Sequence, residues 1–423
     1  MSIQHSYVRI AQLGFAGIVA CLLAISLLGC RGAAPTPEPV SITFACRDMS
    51  VDSYEPLVQE FNEQYPHITV NLRSETEEGL INLGAEDADV RPVWQAMFDL
   101  VQERGDIRAL DPFIEQDTSL DLSDFYRAAL NVFTVDGEIW AIPFGANPIV
   151  VYYNQDLFDQ SGIPYPENGW TWDDFLSAAL AIRDPEAGVF GYASNVGRVD
   201  ALWFVYQHGG RIYDDIQNPS RVTFDDPLTV EALEWYADLY HKHDVALSPE
   251  QALRAFGSAD SAVVRAIVED RVGMWSYDFV LQGGRNSSAE WPMRWGMVNL
   301  PRDTQAVTGG ICAGYAISSQ TPHTDAAWTW VAFLSRRPLE YLVPVRKSIV
   351  ESAEYRRQVG EDVVAIVGDS LESALFYSPR VYSRFEGSRE IFFEAVRRII
   401  SGAWTAEEAM DWAQREAEAG TGP

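Results

Sequence analysis

The chain has 423 residues, of which 47% are hydrophobic and 22% are charged. This composition supports a large buried core and excludes a disordered or fibrous protein, and the length predicts about two domains. Asp and Glu total 61 against 31 for Lys and Arg, which gives a formal net charge of −30. Such a charge repels phosphate backbones and anionic lipid surfaces, so we expect no nucleic-acid partner.

The amino-terminal region carries the one long apolar run of the sequence, residues 10–28, which follows Arg9 and contains no charged residue. The run ends at Leu27-Leu28-Gly29-Cys30, which resembles the lipobox of a bacterial lipoprotein signal. The resemblance implies a signal peptide of residues 1–29, a lipid on Cys30, and an extracytoplasmic protein anchored to the cell membrane. An uncleaved transmembrane anchor is the alternative. Proline-rich residues 30–40 are predicted to form an extended, lipidated tether.

The cysteines fit an exported protein. Cys21 would leave with the signal, which leaves Cys46 and Cys312 either to pair or to remain as two buried thiols. The segment His241-Lys242-His243-Asp244 has metal-ligand chemistry, but it follows a predicted helix, where a cationic His also favours the helix dipole. We expect neither a cofactor nor a metal.

The first predicted elements alternate between strand and helix. Ser41–Cys46 and Ile68–Leu72 are predicted strands, and Tyr54–Tyr65 between them has the pattern of an amphipathic helix. Ala88–Val90 is a candidate third strand, followed by a helix from about Val93 to Glu103. This order predicts a parallel sheet.

Later elements have clearer boundaries. Thr171 and Asp174 fit a capping box before the apolar helix Phe175–Ile182. The other predicted elements are helices at Val230–Tyr240, Ala326–Leu334 and Ala403–Ala419, and a strand at Gly309–Ser318. We expect Trp residues inside such elements to be core residues, namely Trp140, Trp172, Trp235, Trp328 and Trp330.

A series of short motifs runs along nearly the whole chain. They are Gly137–Pro143, Val151–Phe158, Gly162-Ile163-Pro164, Thr171–Phe175, Gly209–Tyr213, Val222–Pro227 with Glu231–Tyr236, and Gly309–Ser318 with Asp325–Trp330. Their order and spacing resemble family 1 extracellular solute-binding proteins of ABC transporters, the maltose-binding-protein-like receptors. No single motif is specific, but the ordered set is.

The resemblance implies an α/β, two-lobed periplasmic-binding-protein-like fold of type II, in which each lobe is a sheet flanked by helices. Lobe 1 is expected at residues 41–145 and 310–346, and lobe 2 at residues 146–309 and 347–423. Hinge crossings are expected near Gly145-Ala146-Asn147, Gly309-Gly310 and Arg346-Lys347. The implied function is that of a monomer that captures a sugar or oligosaccharide between the lobes and delivers it to the transmembrane permease subunits.

Ligands of open α/β sheets bind beyond the carboxyl ends of strands, and sugar sites combine aromatic rings with carboxylates, Arg and amides. By this rule the candidate ligand-binding residues are Arg47, Asp48, Trp94, Gln95 and Asn147. The resemblance adds Asn195, Arg198, Asp200, Trp203, Trp275, Tyr277 and Asp278. Each has a plain alternative as a solvated loop or salt-bridge residue. We interpret Glu77 and Glu78 as a solvated surface pair.

Two other functions are considered. Another polar solute, such as a polyol, a glycerol phosphate ester or a polyamine, is the alternative ligand. A phosphate would require clustered Arg, and a polyamine would require several carboxylates around aromatic rings. A glycan-degrading enzyme would need two carboxyls about 5–10 Å apart across a glycosidic bond. Adjacent acids occur at Asp173/Asp174, Asp214/Asp215 and Asp225/Asp226. The first and third pairs fit helix N-terminal charge instead, and we expect no enzyme.

Overall fold

The computed structural model describes residues 38–194, 199–257, 262–279, 291–339, 342–377, 380–381, 385 and 387–420. Within these ranges the strands are β1 (Val40–Arg47), β2 (Ile68–Glu75), β3 (Val90–Trp94), β4 (Thr134–Val135), β5 (Glu138–Ile139), β6 (Ile142–Asn154), β7 (Phe190–Ser194), β8 (Val272–Asp278), β9 (Trp295–Val298) and β10 (Gly310–Ile317).

Helices surround these strands. They are α1 (Val51–Gln64), α2 (Glu77–Asn82), α3 (Gln95–Glu103), α4 (Asp111–Ile114), α5 (Arg127–Val132), α6 (Gln155–Ser161), α7 (Trp172–Ile182), α8 (Val199–His208), α9 (Pro227–His241), α10 (Pro249–Phe256), α11 (Ala262–Val268), α12 (Thr324–Leu334), α13 (Lys347–Val350), α14 (Ala353–Val359), α15 (Glu361–Glu372), α16 (Ser388–Ile400) and α17 (Ala406–Gly420).

One hydrogen-bonded path connects the main strands in the order β2-β1-β3-β10-β6-β8-β7, and β9 also pairs with β6. Strand β6 is the element common to both halves of this path. Its first part pairs with β10 as far as Pro148, and its second part, from Ile149, pairs with β8 and β9. All of its residues are buried. The chain therefore forms two sheets that share one continuous strand.

The opening strand, helix and strand are confirmed. The third strand, predicted at Ala88–Val90, runs instead from Val90 to Trp94, and the next helix begins at Gln95 rather than at Val93. The reason is tertiary: Val93 and Trp94 pair with β10, which comes from a distant part of the sequence.

The parallel topology is confirmed for the first three strands, and β7 also pairs in parallel with β8, but the sheet as a whole is not parallel. β1 pairs in parallel with β2 and β3, whereas β10 runs antiparallel to both β3 and β6. The sheet is mixed because β10 returns from the other half of the molecule. The capping box is confirmed, since the Thr171 side chain accepts from the Asp174 amide and the Asp174 carboxylate accepts from the Thr171 amide at 2.9 Å.

Two hydrophobic clusters form the interior. The first cluster contains Phe44, Phe98 and Trp330, and the second contains Phe175 and Phe392. The five Trp residues predicted as core are buried or packed against one of the clusters.

The two hydrophobic clusters do not coincide with the two predicted lobes. The first cluster holds residues from both predicted lobes, and it includes the buried side chains of α15, whereas those of α16 and α17 belong to the second. The change occurs between Phe376 and Tyr377. The lobe boundary at Arg346-Lys347 therefore stays a prediction.

Within the described ranges, no helix combines the length and the apolar character that crossing a membrane requires. The predicted signal, Cys30 and most of the tether lie outside those ranges, as do the candidate residues Asn195 and Arg198. Cys46 and Cys312 are both buried free thiols, which decides between the two alternatives left open by the sequence.

Candidate functional site

The two sheets meet at a short stretch of β6. The last residue of β3, Trp94, is paired with Ala313, which is paired in turn with Gly145 of β6. The last residue of β8, Asp278, is paired with Ile149 of β6. Gly145 and Ile149 are four residues apart, which corresponds to about 13 Å along a strand. The carboxyl ends of β3 and β8 therefore lie about this far apart along β6. The structure thus brings the candidate residues at these two strand ends close to one stretch of β6.

Glycines at the start of β10 allow a close approach to the crossing, which is the stretch of β6 from Gly145 to Ile149 where the two sheets meet. A Cβ atom on Gly309 would lie 1.9 Å from the indole ring of Trp203, and one on Gly310 would lie 2.1 Å from the carbonyl oxygen of Asn147. The Gly309 carbonyl also accepts a hydrogen bond from the Ile149 amide at 2.8 Å. Trp203, on α8, thus packs directly against the backbone at Gly309, and its role as a ligand residue stays a prediction.

A hydrogen bond brings Gln95 to the same place. Its side-chain nitrogen donates to the backbone carbonyl of Tyr377 at 2.9 Å, and the Tyr377 ring lies 6.2 Å from the ring of Trp203. Sequence reasoning missed Tyr377, because it follows α15 without a motif. A Phe-Tyr pair after a helix is the one signal that could have found it.

Five candidate residues each have a buried polar atom that lacks a hydrogen-bond partner in the described structure. These atoms are Trp94 Nε1, Gln95 Oε1, Asn147 Oδ1, Trp203 Nε1 and Trp275 Nε1. Unpaired buried polar atoms are rare, and each costs on the order of 1–3 kcal/mol. The indole of Trp330 and the amide oxygens of Asn62 and Asn299 share this state elsewhere in the fold, so what distinguishes the candidate residues is that several such atoms gather near one stretch of β6.

Asn147 lies in the centre of the crossing, where it is paired with Ile311. Ile311 is 44% exposed, which is unusual for an apolar residue within a buried strand. The pair gives the crossing an amide oxygen beside an apolar surface. Sequence reasoning missed Ile311 because nothing in an apolar strand pattern distinguishes its exposed position from the buried ones.

Asp278 ends β8 next to this crossing. Its backbone carbonyl accepts a hydrogen bond from the Tyr152 hydroxyl at 3.2 Å. Its carboxylate forms no hydrogen bond or ion pair with another described residue, and burial raises its pKa to about 6. A desolvated carboxylate without a partner at the end of a strand is a strong acceptor for a ligand hydroxyl.

Asp200 is placed differently from what the candidate set implies. It is 1% exposed, and its carboxylate accepts hydrogen bonds from the hydroxyls of Tyr192 at 2.5 Å and Tyr236 at 3.1 Å. Tyr192 in turn shares a hydrogen bond with Ser276 at 2.9 Å. The Asp200 carboxylate is therefore buried and already hydrogen-bonded to tyrosine hydroxyls. The structure does not place it where a ligand could contact it.

Trp275 and Tyr277 point to the face of β8 opposite to Asp278, because side chains alternate along a strand. Trp275 is fully buried, stacks on Tyr152 at 6.1 Å, and meets Trp291 edge to face at 4.7 Å. Tyr277 is half-buried against the first cluster. Trp275 therefore supports the site from within the aromatic interior.

Arg47, Asp48 and Trp94 lie together at the carboxyl-end edge of the first sheet. The Arg47 guanidinium forms an ion pair with Glu77 at 2.9 Å and lies 5.9 Å from the centre of the Trp94 ring. Asp48 is exposed and begins a short 3-10 turn directly after β1. Glu77 is thus exposed, as predicted, but it is also joined to a candidate ligand residue.

The adjacent acids have structural partners. Asp173 and Asp174 lie in the first turn of α7, and Asp226 caps α9 by accepting from the Leu228 amide. The Ser220 hydroxyl and nearby amides hold the pKa of Asp214 down to about 2. Among the described residues, no group of three or more His, Cys, Asp or Glu side chains has a metal-binding arrangement.

Comparisons with known proteins show the family of the chain. The pattern of the family described as "Bacterial extracellular solute-binding protein" matches residues 50–338. An arabinooligosaccharide-binding protein of Halalkalibacterium halodurans is 25% identical over 219 residues, which are 49% of this chain and 47% of that protein. The chain thus spans about half the length of the curated relatives it matches.

Solved structures show the same fold. An ABC substrate-binding protein from Listeria monocytogenes in complex with cycloalternan has a TM-score of 0.70 at 21% identity, covering 90% of this chain and 99% of its own. The sugar-binding protein MalE from Xanthomonas citri has a TM-score of 0.74 at 17% identity, covering 90% and 96%. The predicted two-lobed α/β fold is confirmed, and the chain belongs to the bacterial extracellular solute-binding protein family.

Proposed function

We propose that this protein captures a sugar or oligosaccharide between its two lobes and delivers it to the permease subunits of an ABC importer. The observation that carries the proposal is the set of buried, unpartnered polar atoms around β6. The set contains indole N–H donors, as in Trp94 and Trp203, and amide oxygen acceptors, as in Gln95 and Asn147. A hydroxyl group both donates and accepts, so a polyhydroxylated ligand can satisfy all of them. The carbohydrates in the names of the similar proteins support the same class.

Other polar solutes fit this set less well. The anionic group of a phosphate ester accepts hydrogen bonds but does not donate them, so this group cannot pair with the oxygens of Gln95 and Asn147, and the Asp278 carboxylate repels it. A polyamine donates only, and it leaves the indole N–H groups unpaired. A linear polyol satisfies the hydrogen bonds but has no ring to pack on the half-buried face of Trp94.

The shared strand provides a mechanism for capture. Trp94 belongs to the predicted lobe 1, Asn147 lies in the predicted hinge crossing, and Trp203 and Asp278 belong to the predicted lobe 2. A ligand that contacts both sides favours the closed arrangement, and the population shifts by the difference in its affinity for the two states. The closed form is the one that the permease recognises, so a ligand held by a single lobe binds without being delivered.

The predicted lipid anchor completes the proposal. With a lipid on Cys30, the tether would hold a monomeric receptor outside the cytoplasm and close to its permease. Labelling of the full-length protein with radioactive palmitate in a bacterial host tests this. We expect incorporation that Cys30→Ser abolishes, and equal labelling of both proteins would contradict the anchor.

The proposed ligand class is tested by thermal shift of the full-length protein in detergent against sugars, oligosaccharides, polyols, phosphate esters and polyamines. A ligand present at 100 times its dissociation constant stabilises the native state by about 2.7 kcal/mol. Saturable stabilisation by one class of sugar is the expected result. A response limited to phosphate esters or polyamines would overturn the carbohydrate class, and turnover of a chromogenic glycoside would overturn the receptor function.

A further inference from the structure

We propose that Glu77 is a positioning residue that determines specificity: it neutralises Arg47 beside Trp94, so that the site accepts uncharged sugars and disfavours uronic acids and sugar phosphates. This inference rests on the proposed carbohydrate function. It concerns a residue that the sequence pattern placed on the surface, away from any ligand.

The three residues converge from three separate elements. Arg47 ends β1 and Trp94 ends β3, and these strands are parallel neighbours, so both side chains lie at the same edge of the sheet. Glu77 opens α2, whose first turn is fixed by a hydrogen bond from the Gly79 amide to the Thr76 hydroxyl at 3.0 Å. Local capping thus places the Glu77 carboxylate at this edge.

The pairing is selective among the nearby acids. The strand register puts Glu75 opposite Arg47, but the Glu75 carboxylate accepts a hydrogen bond from Arg73 at 2.6 Å. The Arg47 guanidinium pairs instead with Glu77 at 2.9 Å. Among the described residues, Glu77 is the one carboxylate in ion-pair contact with Arg47.

The pair controls what Arg47 can offer a ligand. A guanidinium binds carboxylates and phosphates through two parallel hydrogen bonds, and it does so best when no other anion occupies it. Glu77 occupies one nitrogen and cancels the charge. A bound anion then meets no uncompensated positive charge at Arg47. Because Glu77 is 67% exposed, its loss changes stability little and leaves the fold intact.

Calorimetric titration of the full-length protein tests the specificity. The variants are Glu77→Gln and, as the matched control, Glu78→Gln, which removes the same charge from an exposed neighbour on the same helix. Each is titrated with the neutral sugar that stabilises the wild type and with the corresponding uronic acid. We expect Glu77→Gln to raise the affinity for the uronic acid at least tenfold relative to the neutral sugar. Glu78→Gln should change this ratio less than twofold, and adding Arg47→Gln to Glu77→Gln should cancel the gain. Equal ratios in both single variants would overturn the inference.

A second measurement needs no sugar. Iodide is an anionic quencher of Trp fluorescence, whereas acrylamide is neutral, so their ratio reports the charge near an indole. The Trp94 share of the iodide quenching is the difference between each protein and the same protein carrying Trp94→Phe. We expect Glu77→Gln to at least double this share and Glu78→Gln to leave it unchanged. Unchanged quenching in both variants would contradict neutralisation of Arg47 by Glu77. Doubled quenching in a protein that binds no sugar would instead contradict the proposed function.

Discussion

The side-chain nitrogen of Gln95 donates a hydrogen bond to the backbone carbonyl of Tyr377, although 282 positions separate the two residues in the sequence. The bond joins the start of α3 to the segment that leads from the first cluster into the second. It leaves the other amide atom, Gln95 Oε1, buried without a partner. One side chain thus connects the two halves of the molecule and still has an acceptor for a ligand.

Replacing Gln95 with Leu should therefore weaken ligand binding. The change removes the bond to Tyr377 and the free acceptor, and each buried hydrogen bond to a neutral group contributes about 1 kcal/mol. We expect the dissociation constant for the sugar, measured by calorimetry, to rise about tenfold. Gln102→Leu on the same helix is the control and should change it less than twofold. Equal effects of both variants would show that Gln95 is not a ligand residue.

Gly309→Ala should disturb the crossing. The new Cβ atom would lie 1.9 Å from the Trp203 ring, so the indole must move. Overpacking of this kind costs about 1–3 kcal/mol in the free energy of unfolding, measured by chemical denaturation. Gly368→Ala is the control, because its nearest neighbour is the Tyr126 hydroxyl at 3.8 Å. It should stabilise α15 by about 0.5–1 kcal/mol. A Gly309→Ala protein as stable as the wild type would contradict the contact.

Asp200 should make stability depend on pH. Burial raises the pKa of its carboxyl from 3.8 to about 6, so the folded state holds a proton that the unfolded state releases between these values. The stability that this bound proton contributes is fully present below the unfolded pKa of 3.8, and it is lost as the pH rises through the folded pKa of about 6. At 1.36 kcal/mol per unit, the loss is on the order of 3 kcal/mol.

The measurement is chemical denaturation of wild type and Asp200→Asn between pH 4 and pH 7. The variant cannot ionise, so its stability relative to the wild type should increase by roughly 2–3 kcal/mol over this range. Tyr240→Phe, which removes a hydroxyl from the edge of the same network, keeps the carboxyl and should retain the wild-type pH dependence. A constant difference between Asp200→Asn and wild type would argue against a buried, titrating carboxyl.

Asp278 should give ligand binding a pH dependence of its own. Burial raises the pKa of its carboxyl to about 6, and the ionised form is the better acceptor for a sugar hydroxyl. We expect the dissociation constant of the wild type to rise about tenfold between pH 7.5 and pH 5, a change of about 1.4 kcal/mol. In Asp278→Asn the affinity should be lower at pH 7.5 and independent of pH. The exposed Asp173→Asn serves as the control, and a wild-type pH profile in Asp278→Asn would remove Asp278 from the site.

The sequence predicted the local structure well where local rules decide it. The capping box of Thr171 and Asp174 fixes the start of α7 with hydrogen bonds among neighbouring residues, so a motif was sufficient. The end of β3 was placed wrongly because Val93 and Trp94 are held by β10, and no nearby residue reports that pairing. Motif order also gave the family, since it samples the whole chain.

Individual site residues were harder to predict for the same reason. Asp200 and Asp278 are both acids close to strand ends, yet tyrosine hydroxyls enclose the first, whereas the carboxylate of the second has no partner among the described residues. Their spacing in the sequence does not contain this difference. Glu77 and Tyr377 reach the site through contacts with Arg47 and Gln95, which depend on three-dimensional placement alone.

The position of β10 also determines the order in which the polypeptide can fold. In the sheet it lies between β3 and β6, yet it is synthesised after almost all the residues that pack around β7 and β8. A growing chain therefore cannot complete its first sheet until Ile317 has emerged, and such distant pairings form slowly. The first sheet is therefore expected to form late, because one of its central strands comes from far along the sequence.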